Sequence, residues 1–269
     1  RVQLIKNNIL NKLKFIKKLS IEDKADLNFI THKNKITINK KTLLVYVGDS
    51  MIEHLSRVRL NDFSYKNSLA FWIGAKTRLG LNSEKEMQSL CISIKKYFDR
   101  YLSNSNYEEI ILIWSSGSID IRCSIYELEL RGLIGNEGDL IKYYEDTTKN
   151  LINNLILPLG KTLNTNNIVM LSELDSSLDA QTPETLKDLK KIKEKNPYPT
   201  LGNYSYRVKW RKKLNLVSKC QAEMHGIKFF DLNPYIFDKE NKLSNQFDKV
   251  HISNPITIDK INKNIIGLF

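Results

Sequence analysis

A serine that closes an apolar run and an imidazole close to the end of the chain are the residues best suited to covalent chemistry. Gly48-Asp49-Ser50 follows directly on LLVYV at 43–47, so the hydroxyl of Ser50 stands at a strand-to-helix turn, where the following backbone amides can receive developing negative charge. A serine hydroxyl is a weak nucleophile until a base takes its proton. Asp248-Lys249-Val250-His251 offers that base, with a carboxylate three residues earlier to set the imidazole tautomer and stabilise its charged form. Taken singly, neither segment is specific: Ser50 also suits the cap of a helix starting near Met51, and His251 suits an ordinary structural histidine. His54, one helical turn past Ser50, either lines the same pocket or packs within its helix. His32 and His225 stand at no metal-ligand spacing from a cysteine or acid, and no phosphate-binding or dinucleotide fingerprint is present. No metal and no cofactor is expected.

Such a serine needs a rigid sheet beneath it, and the pattern supplies one. Short apolar runs at 43–47, 69–73, 108–114, 167–173 and 227–232 alternate with helical stretches at 84–102, 139–157, within 205–224 and after Pro255. The alternation predicts an α/β fold, three layers α-β-α, with a central parallel sheet of about five strands. Functional loops then sit at the carboxyl ends of the strands. Residues 175–205 break the rhythm with polar, lysine-rich sequence and Pro183, Pro197 and Pro199, which reads as an inserted loop or short helix over the site, or as a plain solvated loop. Trp72 and Trp114 lie in apolar runs and are expected in the core rather than against a sugar ring.

In their order along the chain these segments resemble the SGNH (GDSL-type) hydrolase family, whose members carry four short blocks on an α/β sheet of flavodoxin-like layout. The blocks here are Gly48-Asp49-Ser50, Gly74 in FWIGAKT, Gly117-Ser118-Ile119-Asp120, and the D-x-x-H of 248–251. The resemblance implies Ser50 as nucleophile, His251 as general base and Asp248 as the residue orienting it. It also implies the backbone amides of Ser50 and Gly74 as oxyanion donors, with Asp49 beside them. The family's usual third donor is an asparagine, and Ile119 stands in its place. The third block is similar instead to the G-E-I-D-x-R segment of a subset found near polysaccharide-synthesis enzymes, here Gly117-Ser118-Ile119-Asp120-Ile121-Arg122. Asp120 and Arg122 then form an ion pair, or Arg122 holds an anionic substrate or an oxyanion. The activity implied is a serine-dependent esterase acting through an acyl-enzyme, on O-acetyl groups of a carbohydrate. A carbohydrate O-acyltransferase with the same triad and a catalytically weak glycan-binding module are the alternatives.

The expected division is a basic helical extension over 1–40 and one SGNH-like α/β domain over 41–269, within the 269 residues and their 41% hydrophobic content. The net charge of +12 is clustered, with ten Lys/Arg against three Asp/Glu in residues 1–40 and ten against two in 185–213. It favours anionic partners, but neither cluster carries an aromatic-interleaved RNA motif or a recognition helix, so an ester-bearing small molecule or glycan is the expected partner and nucleic acid is not. Residues 2–19 carry apolar residues at helical spacing among lysines, which suits packing against the domain or a partner, or contact with an anionic membrane surface. Cys91, Cys123 and Cys220 are odd in number and form no C-x-x-C pair, which points to a reducing, cytoplasmic setting.

Overall fold

The computed structural model describes residues 42–49, 51–56, 68–74, 77–81, 83–102, 107–174, 180–236, 252 and 254–269. The chain alternates strand and helix as its apolar pattern requires. In order these are β1 (Thr42–Gly48), α1 (Met51–Leu55), β2 (Ser68–Trp72), α2 (Glu84–Leu102) and β3 (Glu109–Ser115). A π-helical turn over Asp120–Ser124 then leads into α3 (Ile125–Leu130). Next come α4 (Glu137–Leu151), continued through a second π-helical turn into α5 (Leu157–Thr162), and β4 (Ile168–Leu171). The chain ends with α6 (Leu186–Lys195), α7 (Tyr204–Met224), β5 (Lys228–Phe230), α8 (Asn233–Ile236) and α9 (Pro255–Ile266). The expected basic helix at 2–19 lies outside the described residues.

The strands form one sheet in the order β2-β1-β3-β4-β5, every neighbouring pair parallel, with Val45 opposite both Leu69 and Leu112, and Met170 opposite Phe229. A strand buried on both faces cannot alternate polar and apolar residues, which is why these runs are almost continuously apolar. Their side chains nevertheless divide with period two. Leu43, Val45, Val47, Leu112 and Trp114 point to one face, packed with Ile94 of α2 and with Leu151 and Leu159. Leu44, Tyr46, Ile111, Ile113 and Val169 point to the other, packed with Ile52, Leu55 and with Ile258 and Ile261 of α9. The outcome is the expected three-layer α-β-α arrangement around a central parallel sheet. All three tryptophans are packed, Trp114 fully buried and Trp210 nearly so.

Caps close the helices that follow loops. Asn136, Thr185 and Asn203 each accept the N–H of the residue three positions on, at the starts of α4, α6 and α7. Asn254 accepts from both Ile256 and Thr257 at the start of α9, and Pro255 fills the first position, where no N–H is needed. Asn254-Pro255 thus stops the preceding loop and fixes where the last helix begins. That helix is tied down from inside: the Tyr46 hydroxyl donates to Asn262, and Asn262 Nδ2 donates to the carbonyl of Leu55 at 3.1 Å.

Candidate active site

The carboxyl ends of β1, β2 and β3 bring the first three blocks together. Gly48 is the last residue of β1, and a β-carbon there would lie 1.8 Å from the carbonyl oxygen of Ser115 at the end of β3, so only glycine lets the two strand ends close. Beyond it Asp49 turns inward: its N–H donates to Ser115, and its Oδ1 accepts from the N–H of Met51 at 3.1 Å. Asp49 is buried, and that burial holds its carboxyl above the ordinary range, against the Met51 N–H, the Ser118 hydroxyl and the charge of Arg122. Gly74, just after β2, has a φ of +86°, a conformation that side chains rarely adopt.

The third block turns in two directions. Ser118 donates to Asp49 Oδ2 at 2.9 Å and, with Asp49, Ser116, Ser172 and Glu173, lines a small polar cleft at the strand ends. Ile119 goes the other way. It is 6% exposed and sits in an apolar cluster with Cys123 and with Leu189 and Leu201 of the 175–205 segment. Ile119 is thus held by an apolar contact with the residues that cover it. The segment is pinned by a hydrogen bond from Leu201 N–H to the Arg122 carbonyl at 2.7 Å, by a bridge between Gln181 and Leu201, and by the Tyr126 hydroxyl donating to Pro183. It contains the helix α6. A wider open recess of about 470 Å³ is lined by Gln181, Pro183, Asp188 and Ile192 within that segment, away from the strand ends that carry the glycine blocks.

Among the described residues the cation acting on the fully buried Asp120 is Arg78, not the Arg122 that the resemblance offered as one of two alternatives. Asp120 Oδ2 accepts the N–H of Arg78 at 2.7 Å and the carboxyl also receives the N–H of Leu79, so it caps the turn that follows Gly74. Burial, reinforced by the negative charge of Glu173, pushes the Asp120 carboxyl up to about 8, against these N–H groups and the charge of Arg78. Arg122 acts electrostatically on Asp49.

The ion pair of this region is one that the sequence motifs did not single out. Arg78 Nη1 lies 2.7 Å from Glu173 Oε1, and both side chains are completely buried. The guanidinium also donates to Ser218 at 2.6 Å and, through Nη2, to the carbonyl of Ser116 at 2.8 Å, and it stands over the ring of Tyr144. The Tyr144 and Ser218 hydroxyls both donate to Glu173 Oε1. Asn215 receives the N–H of Glu173 at 2.6 Å and donates to its carbonyl at 3.0 Å, fixing the residue on the end of β4. One signal was legible, a carboxylate closing the apolar run NIVMLSE; Arg78 lies in a turn with no pattern to mark it.

Ser50, Asp248 and His251 lie outside the described residues, as do the side chain of His54 and the whole of His32. Their chain neighbours are described. Met51, Ile52 and Leu55, just after Ser50, share one buried cluster with Ile252, Ile258 and Ile261, just after His251. Among the described residues no group of His, Cys, Asp and Glu has the arrangement of a metal site, and no helix is long and apolar enough to cross a membrane. Cys91 and Cys123 are buried free thiols, each pushed up to about 11 by burial, and Cys220 is exposed.

No family model matches the sequence, and no curated protein matches it. Solved structures are similar to it at low identity. A GDSL-like lipase from Bacteroides thetaiotaomicron is 14% identical over 85% of this chain and 86% of that one, with a TM-score of 0.42. A catalytic mutant of an acetylxylan esterase from Geobacillus stearothermophilus is 12% identical over 87% and 97%, with a TM-score of 0.45. A lipase/acylhydrolase from Enterococcus faecalis is 10% identical over 84% and 95%, with a TM-score of 0.36. The strand order 2-1-3-4-5, all parallel, is itself diagnostic of a doubly wound sheet. On it the glycine blocks fall at the ends of β1, β2 and β3 in their expected order, so the fold is a doubly wound three-layer α/β sheet.

Proposed function

We propose that this chain is a serine-dependent ester hydrolase in which Ser50 attacks the ester carbonyl, His251 takes and returns the proton, and Asp248 orients the imidazole. One observation carries the reading. The residues that follow Ser50 and those that follow His251 belong to the same buried cluster on one face of the sheet, which supports bringing these two distant parts of the chain together. The Asn262 bridge between Tyr46 and Leu55 supports the same juxtaposition.

In this reading the Ser50 hydroxyl adds to the carbonyl carbon and gives its proton to His251. The resulting oxyanion is met by the backbone N–H groups of Ser50 and Gly74, whose loop is already turned by a φ of +86°. Collapse expels the alcohol, which takes the proton from His251, and leaves an acyl-enzyme. Water activated by His251 then frees the acid and restores the serine. With Ile119 packed under the 175–205 segment, only the two backbone donors remain in this scheme. Losing one donor lowers a rate by about 10²- to 10³-fold, so slow turnover is expected. The substrate proposed is an O-acetylated carbohydrate, and Arg122 near Asp49 suits one that is anionic.

Incubation of the full chain with p-nitrophenyl acetate tests the reading, with an added sugar acceptor to separate hydrolysis from acyl transfer. A burst and turnover that vanish in Ser50→Ala and His251→Ala are expected; acylation independent of Ser50, or none at all, overturns it. The packing of Ile119 favours one second reading, a glycan-binding module with residual catalysis. Polysaccharide binding that persists unchanged in Ser50→Ala without any ester cleavage would select it.

A further inference from the structure

Three loops meet at the strand ends: the one after β2 that carries Gly74, the one after β3 that carries Gly117 and Ser118, and the one after β4 that carries Glu173. The Arg78–Glu173 ion pair joins all three. Arg78 gives its backbone N–H to Asp120, its Nη2 to the Ser116 carbonyl and its Nη1 to Glu173. Glu173 in turn presses its carboxyl against Gly117, where a β-carbon would lie 2.6 Å from its Cδ. A second oxygen, Oε2, has no hydrogen-bond partner among the described residues and borders the cleft shared with Asp49 and Ser118. A charge this deeply buried is costly.

We infer that Arg78 and Glu173 are positioning residues: a buried brace that ties the loop after β2 to the Gly117-Ser118 turn and to the end of β4. The inference rests on the ester-hydrolase reading for its kinetic consequence, but its geometric part stands alone. Arg78 is four residues past Gly74, so its three attachments anchor the chain just beyond that glycine. In this role each acts through the backbone of the loops it joins.

The test separates positioning from stability. In the double variant Arg78→Met/Glu173→Met the charges vanish together, but the Tyr144 and Ser218 hydroxyls lose their acceptor, so the full chain is expected to fold with a lowered melting temperature. Ser50-dependent acylation should fall by about 10²-fold in kcat, the scale of an ångström of misplacement, with KM changed less than about threefold. Arg78→Lys keeps the charge opposite Glu173 but loses the fork to Ser116. It should show the same split between kcat and KM if the double variant does not fold. Amide hydrogen exchange supplies a reading without activity: the Arg78 and Leu79 N–H groups and the 115–118 backbone should lose protection in both variants. Folded variants with wild-type kcat overturn the positioning role. Unchanged exchange at 78–79 overturns the brace itself. A wild type without Ser50-dependent acylation fails the functional reading instead, and the exchange result then decides the brace alone.

Discussion

Gly117 and Glu173 stand so close that a single added methyl group would overlap the carboxyl: the β-carbon would lie 2.6 Å from Cδ and 2.8 Å from Oε2. Gly117 also holds a φ of +110°, which side chains rarely adopt. Gly117→Ala therefore adds backbone strain of about 1 to 3 kcal/mol to the displacement of a buried, ion-paired carboxylate. A loss of more than about 3 kcal/mol is expected in denaturant melts, against ±0.5 kcal/mol for an ordinary surface change. A near-neutral result would mean that Glu173 can leave its place freely.

The buried Asp120 gives stability a definite pH dependence. In the unfolded chain its carboxyl ionises near 3.8, and in the folded protein near 8, because burial and Glu173 disfavour the charge. The folded state thus holds a proton that the unfolded state has lost, so this residue's contribution is fully present below about pH 4, declines between about 4 and 8, and is flat above. The limiting slope is about 1.4 kcal/mol per pH unit. Asp120→Asn, which cannot ionise, should flatten the decline in melts taken from pH 4.5 to 7.5. An identical slope in the variant would assign the effect to other groups.

Placing an asparagine at position 119, as in the pattern the chain resembles, should not supply a donor. Ile119 packs with Cys123, Leu189 and Leu201, so Ile119→Asn places an amide in an apolar cluster. The expected cost is about 1 to 3 kcal/mol of stability, with no gain in acylation rate. A rate increase of tenfold or more in p-nitrophenyl acetate turnover would show that the side chain reaches the oxyanion after all.

Asn262 links β1, α1 and α9 from inside the core, accepting from Tyr46 and donating to Leu55. Asn262→Ala removes one partner from each of two buried polar groups. A loss of about 2 kcal/mol or more is expected as a shift of the denaturation midpoint without a change in slope. Faster exchange should appear along α9. Because α9 follows His251, kcat should fall as well, whereas full activity would separate the terminal helix from the site.

Much of the fold was legible because parallel strands buried on both faces leave an unmistakable mark. The runs at 43–47, 69–73, 108–114, 167–173 and 227–232 all became strands within a few residues, and the helices at 84–102 and within 205–224 followed. The helix expected after Pro255 also formed, as α9. The shortfall came at the third block. The resemblance offered Arg122 as a partner for Asp120 or as an anion-binding group, but burial in the fold gives the Asp120 carboxyl to the N–H groups of Arg78 and Leu79.

By itself, then, the sequence determined the sheet, its layers and which glycines must end its strands, since hydrophobic period and backbone sterics act over a few residues. Tertiary structure alone decided that Arg78 meets Glu173, that Ile119 is covered by Leu189 and Leu201, and that Met51 and Ile252 share one core. Buried electrostatic partners are chosen by what the fold brings within about 3 Å in a low-dielectric interior, and no spacing along the chain records that choice.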